Sequence, residues 1–287
     1  MQGKIGNLGF VKETLKENDL YAKKKFGQNF LTDQNILSSI VSKSEIDKDT
    51  LVIEVGPGLG SLTEHLVKVA GYVLAYEIDT DLIPILKKNI GDVNNFSVIC
   101  KDILDVDINK DILEYQKDFK KVYLVANLPY YITTPIILGL LSKTDKIKRY
   151  VMMMQLEVAE RICGKPKTKD YNALSIAIGY RAKASLEFKV PRTVFIPAPN
   201  VDSAVVKLDL YDNPPYKAKN EEAFFELIRV CFLQRRKTLY NNLGQKYNKE
   251  FVLKMLTSLG IKENVRSEEL DIIDFIKMSD YIEENYD

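Results

Sequence analysis

The feature that most constrains this chain is an alternation, across residues 51–154, of short β-rich apolar runs with helical stretches. Strands are expected at 51–55, 72–76, 96–100, 122–126 and 150–154, with helices between them, for instance at 61–69 and 135–142. Strands separated by helices read as βαβ units, hence an α/β fold with a parallel sheet covered on both faces. Such sheets bind ligands outside the carboxyl ends of their strands. The residues that follow each strand are therefore where chemistry is to be sought.

Residues 183–190 and 201–210 are expected to complete the sheet as late, partly antiparallel strands. Asp212-Asn213-Pro214-Pro215 breaks the pattern, and helices are expected beyond it at 222–233, 237–246, 250–259 and 268–276. The division that follows is a Rossmann-like domain over 1–211 and a small helical domain over 212–287. Residues 1–22 form an N-terminal extension whose role the sequence does not disclose.

With 46% hydrophobic and 28% charged residues, the chain has a globular composition. No apolar run approaches the ~20 residues of a membrane-spanning helix, and the first seven residues lack the apolar core of a secretory signal. A cytoplasmic protein with no membrane partner is expected. Its three cysteines, Cys100, Cys163 and Cys231, have no metal-type spacing, so reduced thiols and no metal are expected.

The net charge of +1 conceals an uneven distribution. Residues 262–287 carry nine acidic and three basic side chains, whereas 161–192 carry eight basic and two acidic, and 229–246 five basic and none acidic. A basic face can meet phosphate while an acidic stretch balances the sum. Charge clusters are also ordinary solvated surface, so this feature alone decides little.

The first strand runs into Gly56-Pro57-Gly58-Leu59-Gly60. Glycines permit a tight turn and close approach of backbone to a ligand. Glu77 ends the second strand, where an acid can take both ribose hydroxyls. The spacing is Gly-x-Gly-x-Gly, not the dinucleotide form Gly-x-Gly-x-x-Gly, and preceded by Glu54 it resembles motif I of class I methyltransferases, whose donor is S-adenosylmethionine. Asp102 follows the third strand and can accept from the cofactor's adenine amino group; alone it would read as a helix cap. His65, the single histidine, reads as structural.

The fourth strand delivers Asn127-Leu128-Pro129-Tyr130. An adenine amino group is a poor nucleophile because its lone pair is delocalised into the ring. Two acceptors holding its hydrogens bias the nitrogen towards a tetrahedral shape. Asn127 offers a side-chain carbonyl, Leu128 a main-chain carbonyl that Pro129 helps fix, and Tyr130 a ring for an unpaired base. Out of context the tetrapeptide is an ordinary turn; after a fourth strand, it points to chemistry.

Taken together these residues resemble the KsgA/RsmA family, the small-subunit rRNA adenine dimethyltransferases. Lys24-Lys25-Phe26-Gly27-Gln28-Asn29-Phe30-Leu31 is similar to the family's amino-terminal motif, which implies that Asn29 and Leu31 touch the cofactor along with Gly56, Gly58, Glu77, Asp102 and Asn127. The stretch from Phe195 to Val206 resembles its late motif, implying that Phe195 packs on the target base opposite Tyr130. Without the resemblance, Phe195 reads as a core aromatic before a proline-rich turn. Gln234-Arg235-Arg236-Lys237-Thr238 resembles the carboxyl-domain signature, at the start of a helix. Lys24, Lys25, Arg235, Arg236 and Lys237 are the expected RNA contacts. The implied activity is dimethylation of two adjacent adenosines in the 3′-terminal hairpin loop of small-subunit rRNA. The implied partner is that rRNA within an immature 30S particle, met by a monomer, with no DNA.

Three rivals stand beside this reading. A large-subunit rRNA adenine methyltransferase of the macrolide-resistance type shares the cofactor and catalytic motifs. Methylation of DNA adenine or protein glutamine uses similar tetrapeptides. A non-catalytic assembly or transcription factor on the same fold would have no need of Asn127, Pro129 and Tyr130.

Overall fold

The computed structural model describes residues 5–20, 27–115 and 118–286. Its strands are β1 (Phe30–Leu31), β2 (Thr50–Val55), β3 (Tyr72–Glu77), β4 (Phe96–Cys100), β5 (Lys121–Asn127), β6 (Arg149–Gln155), β7 (Ala182–Val190), β8 (Phe195–Ile196) and β9 (Ser203–Leu210). Its helices are α1 (Leu8–Glu17), α2 (Gln34–Ser44), α3 (Thr63–Val69), α4 (Leu82–Ile90), α5 (Ile108–Tyr115), α6 (Thr133–Lys143), α7 (Leu156–Ile162), α8 (Ala173–Gly179), α9 (Glu221–Cys231), α10 (Leu239–Leu243), α11 (Lys249–Ser258) and α12 (Ile272–Asn285). The chain divides into two units, one running to Ala159 and including Ser185–Leu210, the other made of Glu160–Ala184 and the residues from Tyr211 onwards.

In the first unit the sheet order is β4-β3-β2-β5-β6-β9-β7. The strands from β4 to β6 are parallel, and β9 runs antiparallel to β6. Every residue of β2 is buried, Leu51, Val52 and Ile53 completely. This explains its unbroken apolar run, because a central parallel strand has no solvent face to alternate against. The strand order reverses between β2 and β5, the position where open α/β sheets leave a crevice.

A two-stranded pairing of β1 with β8, with Leu31 opposite Phe195, was not expected from the sequence. Two residues are too short to show a periodicity, so only tertiary contact reveals them. The extension also acquires a place. Asn7 caps α1 by accepting from the Phe10 N–H at 2.7 Å. Buried Val11 on that helix joins Phe30, Leu59, Leu82 and Ile85 in one apolar cluster. The Ile5 N–H donates to Glu64 on α3 at 2.8 Å, so residues 5–20 pack against the glycine turn and the helix after it.

The second unit corrects the expected domain division. Tyr171, Ile176 and Tyr180 share a core with Phe224, Leu243 and Phe275, which places residues 160–184 with the helical unit, ahead of the expected boundary at 212. The helix expected over 237–246 is the shorter α10, begun by the Thr238 cap. Arg235, Arg236 and Lys237 therefore lie on the preceding turn, all exposed, rather than at the start of a helix. The acidic stretch is largely α12, with Phe275 and Met278 in the core, while Asp280 accepts from the Lys219 N–H at 2.9 Å. Its acids are thus partly structural.

Buried Asn242 holds the cationic turn from behind. Its side chain donates to the Cys231 carbonyl at 2.7 Å and the Gln234 carbonyl at 3.2 Å, and accepts from the Gln234 N–H at 3.2 Å. Asn242→Ala should strand these groups and lower unfolding stability by about 2–3 kcal/mol in urea denaturation. A loss below about 0.5 kcal/mol would show that the turn holds without this anchor.

Candidate active site

The carboxyl ends of β2, β3, β4 and β5 open on one cleft of about 1040 Å³, counting its solvent-open mouth. Asn29, Leu31, Gly56, Gly58, Glu77, Asp102, Asn127, Leu128, Pro129 and Tyr130 all line it. Parallel pairing causes this convergence: Val55 is opposite Tyr76 and Glu77 opposite Cys100, so consecutive strands end side by side.

Gly56 and Gly58 take φ of +67° and +60°, the left-handed region that side chains disfavour. The bend aims the Gly58 N–H at Glu77 Oε2, 3.1 Å away, while the Asp79 N–H donates to Oε1 at 2.9 Å. Glu77 is 4% exposed, and its burial raises its pKa against the main-chain N–H groups of Asp79, Gly58 and Ile78. Each oxygen keeps a further lone pair, which suits a pair of ligand hydroxyls. Gln28 donates to buried Asp79 at 2.8 Å, extending the same network to the amino-terminal motif.

Asp102 does two things. Its Oδ1 caps a short 3-10 turn by accepting from the Leu104 N–H at 2.9 Å, and the residue lines the cleft. The cap reading and the ligand reading are compatible because a carboxylate has two oxygens. Apolar Ile78 and Ile103 line the same cleft and offer apolar surface to a purine. Glycines without side chains, a pinned carboxylate and an apolar slot together fit an S-adenosyl group.

At the β5 end, the Leu128 N–H donates to the Met153 carbonyl at 3.0 Å. The Asn127 amide nitrogen reaches the Asn29 carbonyl at 3.4 Å. Among the described residues no donor engages Asn127 Oδ1 or the Leu128 carbonyl, and both residues line the cleft. Pro129 has φ −60° and ψ 128°, and its carbonyl accepts from the Thr133 hydroxyl at 2.9 Å. The Tyr130 hydroxyl is tied to Ser203 at 2.6 Å, which fixes its ring.

Phe195 is 3% exposed, packs in the core with Leu37, Ile40 and Val205, and does not line the cleft. Its pairing with Leu31 sets it in the core, where it fits the core-aromatic reading, and a place against the target base is a proposal. Lys24 and Lys25 lie outside the described residues. Arg235, Arg236 and Lys237 belong to the other unit and are not among the cleft residues. His65, read as structural, meets Gln34 Oε1 at 2.9 Å. Among the described residues no cluster of His, Cys, Asp or Glu has the makings of a metal site.

Sequence reading missed Tyr131, which lines the cleft mouth at 52% exposure and packs against Gly27. Only its position after the tetrapeptide hinted at it. Glu54 was noted merely as the residue before the glycines. It is 1% exposed, accepts from the Thr63 hydroxyl at 2.8 Å, and also lines the cleft. Burial, reinforced by the Glu77 charge, pushes its pKa up to about 8. In the unfolded chain the group ionises near 4.5, so the fold binds the extra proton between those values. Stability from this group is complete below about pH 4.5 and is lost as pH rises towards 8. Across pH 5–8.5, wild type should lose about 3–5 kcal/mol more than Glu54→Gln in paired urea titrations. Parallel profiles would mean that Glu54 is already ionised in the fold.

With the geometry established, comparison with known proteins is direct. A family model described as ribosomal RNA adenine dimethylase matches residues 20–284. The ribosomal RNA small subunit methyltransferase A of Lactococcus lactis subsp. lactis is 46% identical over 280 residues, covering 96% of this chain and 95% of that protein. The protein of the same name from Lysinibacillus sphaericus is 47% identical over 275 residues, 94% of each chain. A dimethyladenosine transferase from Plasmodium falciparum superposes with a TM-score of 0.74 at 28% identity, covering 88% of this chain and 97% of that one. The 23S rRNA methyltransferase ErmE superposes with a TM-score of 0.68 at 24% identity, covering 88% and 99%, a likeness of fold. A match spanning nearly the whole chain, on the fold and cleft just described, makes this protein a member of the ribosomal RNA adenine dimethylase family.

Proposed function

We propose that this protein dimethylates the exocyclic amino groups of two adjacent adenosines in the 3′-terminal hairpin loop of small-subunit rRNA, with S-adenosylmethionine as donor. The observation that carries the reading is the pair of acceptors, Asn127 Oδ1 and the Leu128 carbonyl, at the mouth of a cleft that fits an S-adenosyl group. Identity of about 46% to relatives named for the small subunit, against 24% to ErmE, favours the small-subunit substrate over the large-subunit rival.

In this reading Glu77 takes the ribose hydroxyls, Asp102 the adenine amino group, and Gly56, Gly58, Asn29 and Leu31 shape the walls around the donor. When bound, S-adenosylmethionine supplies a methyl group made electrophilic by a positive sulfur. Asn127 and Leu128 accept the two hydrogens of the target nitrogen and turn its lone pair towards that methyl. Pro129 limits movement of the second acceptor. Tyr130, anchored through Ser203, gives the base a ring to stack on. Orientation and exclusion of water then supply most of the acceleration. The methylated nitrogen is acidic, so its proton leaves to solvent without a strong base.

The finer partner is an immature 30S particle in the cytoplasm, approached by a monomer, with Arg235, Arg236 and Lys237 on phosphates. Among the described residues no helix is long and apolar enough to cross a membrane. Nucleoside mass spectrometry of small subunits from cells lacking this protein should show dimethyladenosine only after protein and donor are added. Asn127→Ala should reduce that signal about 100-fold or more while particle binding persists. Dimethyladenosine in untreated subunits, or equal loss of binding and transfer, would contradict the assignment.

A further inference from the structure

Outside the cleft, a strongly basic surface of the second unit is assembled from two distant stretches of chain. The loop over 164–170 carries Lys165, Lys167 and Lys169, all exposed, and the turn before α10 carries Arg235, Arg236 and Lys237. The Arg235 guanidinium donates to the main-chain carbonyl of Lys169, which joins the two. Charge on charge would ordinarily drive such segments apart. Here a backbone carbonyl accepts one cation and brings the lysine loop against the arginine turn.

Both segments are built rather than loose. In the loop, the Thr168 hydroxyl and N–H both reach the Lys165 carbonyl, at 2.7 and 3.1 Å. The Lys167 N–H donates to the Glu268 carbonyl at 2.8 Å. A side chain on Gly164 would meet the Asp170 carbonyl at 2.6 Å, so the loop closes tightly on itself. Asn242 pins the turn, as described above. Among the described residues none of these six cations forms an ion pair. Elsewhere on the protein, lysines sit on carboxylates, as Lys121 does on Asp47 at 2.6 Å and Lys246 on Glu226 at 2.5 Å. Six uncompensated charges held on a fixed frame create a local field suited to a polyanion with repeated charges.

We infer that loop 164–170 and the turn at 235–237 form one continuous binding surface for the phosphodiester backbone of RNA, with the lysine loop as a second arm beside the arginine turn. This rests on the proposed rRNA substrate and extends it, because the sequence marked 161–192 only as a basic stretch and named no RNA contact on the loop. Charge-only contacts of this kind position an RNA without reading its sequence.

The test is salt dependence of binding, by filter retention of immature small subunits on the full-length protein between 50 and 300 mM KCl. Removing the loop charges together (K165Q, K167Q, K169Q) should lower the magnitude of the log Kd against log salt slope by about 2–3, since each phosphate contact contributes about 0.7–0.9. At 150 mM KCl affinity should fall at least 10-fold. The charge-preserving set (K165R, K167R, K169R) should retain the wild-type slope, which separates charge from damage to the loop. R235Q with R236Q should lower the slope by about 1.5–2. A glutamine set with an unchanged slope overturns the lysine arm, whereas wild-type methylation in the same preparations leaves the proposed function intact. Failure of wild type both to bind and to methylate overturns both. Loss of binding to phosphatidylglycerol vesicles without loss on particles would assign the loop to a lipid surface and also overturn it.

Discussion

The register of three neighbouring parallel strands, β3, β2 and β5, underlies everything the cleft offers. Their backbone hydrogen bonds fix where each strand stops, and each stop delivers one functional group: Glu77 from β3, the glycine turn from β2, Asn127 from β5. A slip of one residue in β2 would reverse its side chains and carry Glu54 from the cleft side to the other face of the sheet. The unbroken burial of β2 makes such a slip costly, because every position is enclosed.

The cleft concentrates acid. Glu54 and Glu77 line it and are buried, held by the Thr63 hydroxyl and by main-chain N–H groups from Gly58 and Asp79. Neutral donors stabilise carboxylates less than a cation would, which is why burial raises Glu54 and Glu77. Glu54 is therefore largely protonated at neutral pH, and that part of the cleft wall is polar rather than charged. Stability is given up at a functional site and recovered in the apolar core around β2 and β6.

The parallel sheet, the glycine turn and the strand-end residues were legible in the sequence because they obey local rules: apolar runs, positive-φ glycines, and polar residues following strands. What was not legible depends on distant contact. Residues 160–184 carry a helix and a turn that look like part of the sheet region, and only Tyr171 and Tyr180 meeting Phe224 and Phe275 reveal their unit. Phe195 shares a motif-like stretch with the late strand, yet its register against Leu31 decides that it faces the core. The role of α1 follows from Val11 sharing a buried cluster with Leu59, 48 positions away in a chain with no periodicity linking them. Tyr131 lacked any signal beyond adjacency.

Two carbonyl acceptors on one strand end, beside a donor site, are the centre of this account. A crystal structure of the protein with S-adenosylhomocysteine and an adenosine-containing RNA loop tests it most directly. The target amino nitrogen should lie within about 3.2 Å of both Asn127 Oδ1 and the Leu128 carbonyl, with the base stacked on Tyr130. A base bound elsewhere, or a corner closed by side chains with both ligands present, would contradict it.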